Sequence, residues 1–340
     1  MKKLPRGPLL ALGFSWRKQE LLKKFCARRD IKFIWSTRLI KPNSTLILWG
    51  NTSVPTDLPE NVNIIRVEDG FLRSVGLGAD LIQPISWVID GSGIYFDASR
   101  PSDLEILLAN MEFNAEILRR AKEIRTSIVK SGLSKYNLTS SEWSPPAINK
   151  KKVLVIGQVE TDASILAGTV DINTNLSLLR TVRLSHPEAW IIYKPHPDVV
   201  AGLRKAGKNE IQAQNFCDDF LPNVSINKLL DSVDEVHVMT SLAGFEALLR
   251  KKKVVCYGQP FYAGWGLTHD THSIPRRKRK LELDQLVAAT LIEYPLYMSR
   301  VTGAHCEVEQ AIEELLCWRK HSGSNLPLWR KMLRPFIRKK

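Results

Sequence analysis

Ala189-Trp190-Ile191-Ile192-Tyr193, running straight into Lys194-Pro195-His196-Pro197-Asp198, is the stretch on which the fold class turns. An apolar run of strand length that breaks into a cationic, proline-stiffened loop puts a lysine and a histidine outside the carboxyl end of a strand, where open α/β sheets bind ligands. Some forty residues on, Glu235-Val236-His237-Val238-Met239 reads as a second strand and leads into Thr240-Ser241-Leu242-Ala243-Gly244-Phe245-Glu246-Ala247-Leu248-Leu249. Thr240 and Ser241 fall at the cap of that helix, where unpaired backbone N–H groups and the helix dipole favour a phosphate. Two strand ends therefore point at one anion.

Outward from this pair the strand–helix rhythm continues. Lys152-Val153-Leu154-Val155-Ile156-Gly157 reads as a strand, residues 175–184 and 243–250 as helices, and Val254-Val255-Cys256-Tyr257 as a further strand. In the first half Leu46-Ile47-Leu48-Trp49 and Asn63-Ile64-Ile65-Arg66-Val67 read as strands, and residues 102–111 and 114–129 carry helical spacing. Such alternation predicts an α/β protein with parallel sheets. The polar, proline-rich Thr139-Ser140-Ser141-Glu142-Trp143-Ser144-Pro145-Pro146 sets a boundary, giving two Rossmann-like domains, residues 1–148 and 149–317, that face each other across a cleft. Residues 318–340 hold eight Lys/Arg and no Asp or Glu, with Trp329, Met332, Leu333, Phe336 and Ile337 at helical spacing around Pro335. This tail reads either as a basic amphipathic helix on an anionic membrane or as a solvated end.

The 340 residues, 44% hydrophobic and 25% charged, are enough for two cores of ordinary size. A net charge of +14 calls for an anionic partner, which charge alone leaves open among nucleic acid, membrane surface and charged substrate. Five scattered cysteines with no C-x-x-C pair imply neither a disulfide framework nor a zinc site, so a reducing compartment is expected. Leu9-Leu10-Ala11-Leu12-Gly13-Phe14 is too short to span a bilayer, and a cytoplasmic location follows as the expectation.

Several strand ends carry groups capable of chemistry. Gly157-Gln158-Val159-Glu160-Thr161-Asp162 brings two carboxylates to the edge that holds His196 and Ser241; Asp162 either faces a substrate or caps the next helix. Glu68-Asp69-Gly70-Phe71-Leu72-Arg73 brings two more, to be read as an acid–base pair or as a turn in which Glu68 pairs with Arg73. His186-Pro187 repeats the His-Pro pair but precedes its strand, which places it at the opposite edge, and His237 reads as a buried core residue. Gln259 to Thr268, rich in glycine and aromatics, either walls a nucleotide pocket through Gln259 and Tyr262 or packs as a tight loop around Trp265. No Asp-x-Asp or metal-spaced cluster stands out, so metal-independent chemistry is expected.

Taken together, Glu68 to Ser74, Gly93-Ile94-Tyr95-Phe96-Asp97-Ala98, Ser134-Lys135-Tyr136-Asn137-Leu138, Gln158 to Ser164, Lys194 to Val199, Thr240 to Leu249 and Tyr257 to Thr268 resemble, in order, the motifs of the capsule polysaccharide biosynthesis family of bacterial β-Kdo glycosyltransferases, over roughly residues 45–310. The resemblance implies a GT-B-like pair of Rossmann domains and retaining transfer from CMP-β-Kdo, a donor substrate, with no resident cofactor. Members with two catalytic modules are known, whereas this sequence has room for one, which implies one linkage type. The Gln158-to-Asp162 motif is closer to their second module, whose glutamate position differs from the first; this favours Asp162 over Glu160 as the essential group.

The implied mechanism is a double displacement: Asp162 traps the oxocarbenium-like carbon as CMP leaves, and an acceptor hydroxyl then displaces Asp162. Lys194, His196, Thr240 and Ser241 suit the leaving phosphate. Glu68, with Asp69 in reserve, suits the base, and Glu246 a ribose or cytidine contact. Gln158, Glu160 and Arg73 are further substrate-side candidates. Arg276 or Arg277, within Pro275-Arg276-Arg277-Lys278-Arg279-Lys280, would meet the sugar carboxylate or an anionic glycan or glycolipid acceptor at the inner-membrane surface, and nucleic acid is not expected as a partner. A CDP-glycerol-type glycerophosphotransferase, another CMP-sugar transferase, and a non-enzymatic scaffold that docks capsule machinery on the membrane are the competing readings.

Overall fold

The structure, a computed structural model, describes residues 5, 7–76, 82–135, 137 and 141–321. Leu77 and Gly78, Tyr136, Leu138 and the tail residues Trp329, Met332, Leu333, Pro335, Phe336 and Ile337 lie outside the described residues. Thirteen strands are described: β1 (Leu9–Leu12), β2 (Lys32–Ile34), β3 (Thr45–Trp49), β4 (Asn63–Asp69), β5 (Ser86–Asp90), β6 (Lys152–Ile156), β7 (Trp190–Lys194), β8 (Asp219–Phe220), β9 (Glu235–Val238), β10 (Lys253–Cys256), β11 (His269–Asp270), β12 (Pro295–Met298) and β13 (His305–Cys306). They form two sheets with helices between the strands, an α/β protein as the sequence rhythm requires.

The second sheet runs β11-β10-β9-β6-β7-β8 with every pairing parallel. Counted from β6, this is the doubly wound order 3-2-1-4-5-6, and the strand order reverses between β6 and β9. Val153, Leu154, Val155, Ile191 and Ile192 are wholly buried, as befits strands covered by helices on both faces.

The first sheet, β13-β12-β5-β4-β3-β1-β2, departs from the purely parallel expectation. Strands β1 to β4 are parallel, but β5 pairs antiparallel with both β4 and β12, and β12 pairs antiparallel with β13. The apolar Leu9–Leu12 run is a strand of this sheet. The stretch 149–317 thus supplies strands to both sheets: β12 and β13 return to the first. The helix Val308–His321 follows them onto the helix Ala115–Ser131, tied by Arg120 to Glu309 at 3.0 Å and by Arg319 to the Gly132 carbonyl at 2.8 Å.

One hydrophobic cluster joins the halves. It holds Val88, Ile94 and Leu104 together with Leu154, Val236 and Trp265. At its centre Phe71 packs 4.8 Å from both Tyr95 and Phe261, and Phe245 lies 5.4 Å from Phe261. Aromatic packing of this kind fixes how the carboxyl ends of the two sheets meet.

Candidate active site

Where the two sheets meet, a cavity of about 1570 Å³ opens between the end of β4, the ends of β6, β7 and β9, and the helix Trp16–Phe25. That exceeds the ~300–1,000 Å³ of an ordinary single-ligand pocket. Gly157, just beyond β6, makes the approach possible: a Cβ there would lie 2.4 Å from the Tyr193 hydroxyl and 3.1 Å from the Pro195 Cα.

The floor lies at the switch point between β6 and β9. Gln158 bridges it, its Oε1 accepting from the Thr240 N–H at 2.8 Å and its Nε2 donating to Thr240 Oγ1 at 3.0 Å. Ser241 is the N-cap of the helix Leu242–Leu249, its hydroxyl accepting from the Ala243 N–H at 3.3 Å. Next to it, at the end of β7, Lys194 donates to the Pro222 carbonyl at 2.6 Å, and burial lowers its pKa to about 8. His196 caps the turn that starts at Pro197, its Nδ1 accepting from the Asp198 N–H at 3.1 Å. The ring proton is therefore held on Nε2. Burial, with Lys135, Lys194 and Arg204 nearby, lowers the His196 pKa to about 3, so the ring stays a neutral donor. Gln158, Lys194, His196, Thr240 and Ser241 all line the cavity.

Asp162 stands at the lip. It occupies the N-cap of the helix Ala163–Gly168, yet its side chain makes no capping bond; it lines the cavity instead, with Oδ1 3.3 Å from an Arg204 guanidinium nitrogen. Of the two sequence readings, cap or cavity-facing carboxylate, the geometry is that of the second.

Across the void, the pair at the end of β4 divides. Asp69 is spoken for: it accepts from Arg73 Nε at 2.6 Å and from Trp87 Nε1 at 3.2 Å. Arg73 thus pairs with Asp69 and not with Glu68, and is itself buried. Glu68 accepts only from the Asp69 N–H, at 2.9 Å, among the bonds described; burial and the Asp69 charge push it up to about 7. Glu246, one turn into the helix behind Ser241, accepts from the Lys135 N–H at 3.0 Å and is pushed up to about 6 by burial. Glu68, Asp69, Arg73 and Glu246 line the cavity as well.

Five sequence candidates lie elsewhere and hold the scaffold. Glu160 accepts from the N–H groups of Asn175 and Lys208, both at 2.8 Å, and so ties two loops together. Gln259 donates to the Ser273 carbonyl at 3.2 Å, away from the cavity lining. Tyr262 is fully buried, its hydroxyl on the Ser241 carbonyl at 2.5 Å, and supports the switch point from beneath. Arg276 and Arg277 converge on Glu105, and Arg277 also donates to the carbonyls of Pro260 and Ala263 at 2.6 and 2.8 Å. Both lie outside the cavity lining: Arg277 is buried, whereas Arg276 is partly open to solvent away from the cavity.

Sequence reading missed the helix Trp16–Phe25, which brings Trp16, Arg17, Lys18 and Lys24 to the cavity. Lys18 sits 3.3 Å over the Trp49 ring, its pKa lowered by burial despite the opposing pull of Glu68 and Asp69. A signal was available: Arg17 and Lys18 fall in a first helical turn, where cations oppose the helix dipole.

For a metal, the described residues offer one set of groups: His186, Glu235 and His237, with ligand atoms within 4.8 Å of one another. It lies at the amino edge of the second sheet, and Lys151 and Lys253 already donate to Glu235 Oε2 at 2.6 and 2.9 Å. Two ammonium groups on one ligand oxygen fit a cation poorly. His237 is the buried core residue that its place within a strand implied.

Comparison with known proteins bears on this geometry. The family described as "Capsule polysaccharide biosynthesis protein" matches residues 55–297. The capsule polysaccharide modification protein LipA of Neisseria meningitidis serogroup B is 43% identical over 335 residues, 96% of this chain but 48% of LipA. The lipopolysaccharide-processing protein LpsZ of Rhizobium meliloti is 45% identical over 278 residues, 79% of this chain and 63% of LpsZ. This chain thus spans about half the length of the LipA it matches. Two solved structures of Thermosulfurimonas dismutans KpsC superpose over 92% of this chain and 99% of theirs: the beta Kdo 2,7 transferase, with TM-score 0.76 and 38% identity, and the beta Kdo 2,4 transferase, with TM-score 0.79 and 29% identity.

Proposed function

The chain belongs to the capsule polysaccharide biosynthesis protein family, and from that premise we propose that it is a retaining β-Kdo transferase, moving Kdo from CMP-β-Kdo to an anionic glycan or glycolipid acceptor. The observation that carries this reading is Asp162 at a helix N-cap without capping, its carboxylate turned to a cavity whose facing wall holds Glu68. A carboxylate released from the structural role its position invites is available for chemistry.

In the first step an Asp162 oxygen bonds to the anomeric carbon of Kdo, and the bond from that carbon to the CMP phosphate breaks, its electron pair leaving with the phosphate. The neutral Nε2–H of His196, the Lys194 ammonium and the Thr240–Ser241 helix cap receive that charge. CMP departs as a stable anion, so this step asks for no proton donor. In the second step an acceptor hydroxyl oxygen bonds to the same carbon, its proton passes to Glu68, and the Asp162–carbon bond breaks with its electrons returning to the carboxylate. Two inversions leave the configuration unchanged. With a pKa of about 7, Glu68 is matched to accept a proton at neutral pH.

The architecture this reading assigns is GT-B-like: the first sheet, completed by β12 and β13, presents the acceptor, and the second sheet holds the nucleotide sugar. Glu246 contacts the ribose or cytidine. The working place is the cytoplasmic surface of the inner membrane. Among the described residues no helix is long and apolar enough to cross a membrane.

Intact-mass spectrometry of the protein mixed with CMP-Kdo and no acceptor tests the reading. A mass increase of one Kdo residue, mapped to Asp162 and absent from Asp162→Asn, is the expected result. CMP release with no adduct on the wild type would sink the covalent route. Turnover of CDP-glycerol in place of CMP-Kdo would assign the cavity to phosphodiester chemistry.

A further inference from the structure

One wall of the cavity has no part in the steps above, and folding does not account for the exposed Trp16 and the first-turn Arg17 on it. The helix Trp16–Phe25 buries Leu22 and Phe25 and turns Trp16, Arg17, Glu20 and Lys24 to the void. Trp16 is 71% exposed, a large apolar surface left in water at the mouth of a cleft. Arg17 lies over its ring at 5.2 Å. Glu20, the carboxylate on this face, is taken by Lys23 at 2.9 Å, and among the described residues neither Arg17 nor Lys24 has a carboxylate partner.

Arg17 and Lys18 stand in the first turn, with no acidic residue there to favour the dipole. Each opposes the helix dipole at that place. Lys24 sits seven residues beyond Arg17, about 10.5 Å along the axis at 1.5 Å per residue. The wall therefore presents a flat aromatic face flanked by two cations without a carboxylate partner among the described residues, in the same cavity as Asp162 and one larger than a nucleotide sugar requires.

We infer that Trp16, Arg17 and Lys24 form an acceptor subsite for an acidic saccharide: the C–H face of a sugar ring stacks on Trp16, and Arg17 and Lys24 read carboxylates on that ring and the next. This rests on the transferase reading and deepens it. It also moves acceptor recognition from Arg276 and Arg277, which are consumed by Glu105, to the first helix of the chain.

The test is calorimetric titration, without donor, of the intact protein with a Kdo disaccharide and with its bis-methyl ester. The wild type is expected to bind the acid at least about tenfold more tightly than the ester, since the ester removes the charge-assisted contacts. In the double variant Arg17→Ala/Lys24→Ala that preference disappears. Trp16→Ala weakens acid and ester alike, by about five- to tenfold, and Trp16→Phe recovers most of the loss. All three positions are solvent-facing, and losing Arg17 from the first turn and Lys24 from the last act in opposite directions on the helix dipole, so circular dichroism and the unfolding midpoint should stay close to wild-type values. Equal affinity of the wild type for acid and ester, no binding of either, or an acid preference that survives the double variant each overturns the subsite. CMP release from CMP-Kdo by the same wild-type preparation is measured beside it. If that release is absent while the acid preference tracks Arg17 and Lys24, the donor assignment falls and the subsite stands; release with an unaltered preference is the converse.

Discussion

His186-Pro187 and His196-Pro197 lie ten residues apart on either side of β7, and the same dipeptide meets opposite fates. His186, before the strand, enters a closed cluster: its Nε2 is 3.5 Å from Glu235 Oε1, which His237 Nε2 also meets at 2.8 Å, while Lys151 and Lys253 take the other oxygen. His196, after the strand, uses Nδ1 on a backbone N–H and keeps Nε2–H for the cavity. At the amino edge charged groups satisfy one another; at the carboxyl edge donors face an open space. Residue type is the same, and what separates a closed cluster from a cavity lining is which end of a parallel sheet the residue occupies.

Asp162→Asn should break the carboxyl edge most. Transfer is expected to fall at least about 10³-fold, with the unfolding midpoint unchanged because the side chain caps nothing. A comparable loss of stability would show that the group serves the fold and would erase the contrast.

Glu68→Gln is expected to cost about 10²–10³-fold in the acceptor step and to remove a pH limb. In the wild type, kcat/KM for acceptor should fall as pH drops through about 7, where Glu68 gains its proton and no longer accepts one. Donor kcat/KM should instead decline above about 8, as Lys194 loses the charge that meets the phosphate. A pH–rate profile on the variant that keeps the acid limb would assign that limb to another group.

The two histidines offer the direct comparison. His196→Ala should lower donor kcat/KM by about 10²-fold, the scale of one donor to developing charge, beside a loss of about 1 kcal/mol of stability from the missing cap on the Asp198 N–H. Glu235→Gln, at the other edge, should do the reverse, costing about 2 kcal/mol by urea unfolding while kcat holds, since hydrogen bonds to a buried charge are worth ~1.5–3 kcal/mol. Its neighbours hold the Glu235 carboxyl well below the usual range. The stabilisation is therefore complete above the ordinary glutamate pKa and is lost only as strong acid titrates the folded form. Smallest of all, Glu160→Gln should cost about 1 kcal/mol of stability through its two backbone N–H partners. If it instead abolished transfer with stability intact, Glu160 would belong with Asp162.

The helices at 102–111, 114–129, 175–184 and 243–250 and the central strands of both sheets were legible because hydrophobic period is a local property. Observed bounds such as Ala115–Ser131 and Asn175–Ser185 differ from the readings by a residue or two. Strands β5, β12 and β13 were not read: β5 turns back antiparallel on β4, and the pairing of β12 with β5 and β13 depends on a chain return from residue 295 that no local pattern announces. At the site, Lys194, His196, Thr240 and Ser241 were readable because a strand's end names its edge of the sheet. Arg276 and Arg277 misled because a run of basic residues looks the same whether it faces a ligand or a buried Glu105.

By itself the sequence determined the α/β class, the family motifs and the strand ends that line the cavity, since each depends on periodicity and spacing within a few residues. Only the tertiary structure decided that Glu68 rather than Asp69 is the carboxylate with oxygens to spare, that Glu160, Gln259 and Tyr262 hold the scaffold, and that the first helix walls the cavity. Those outcomes depend on which partner lies within about 3 Å, and hydrogen bonding between groups far apart in the chain is fixed by packing, not by the order of residues.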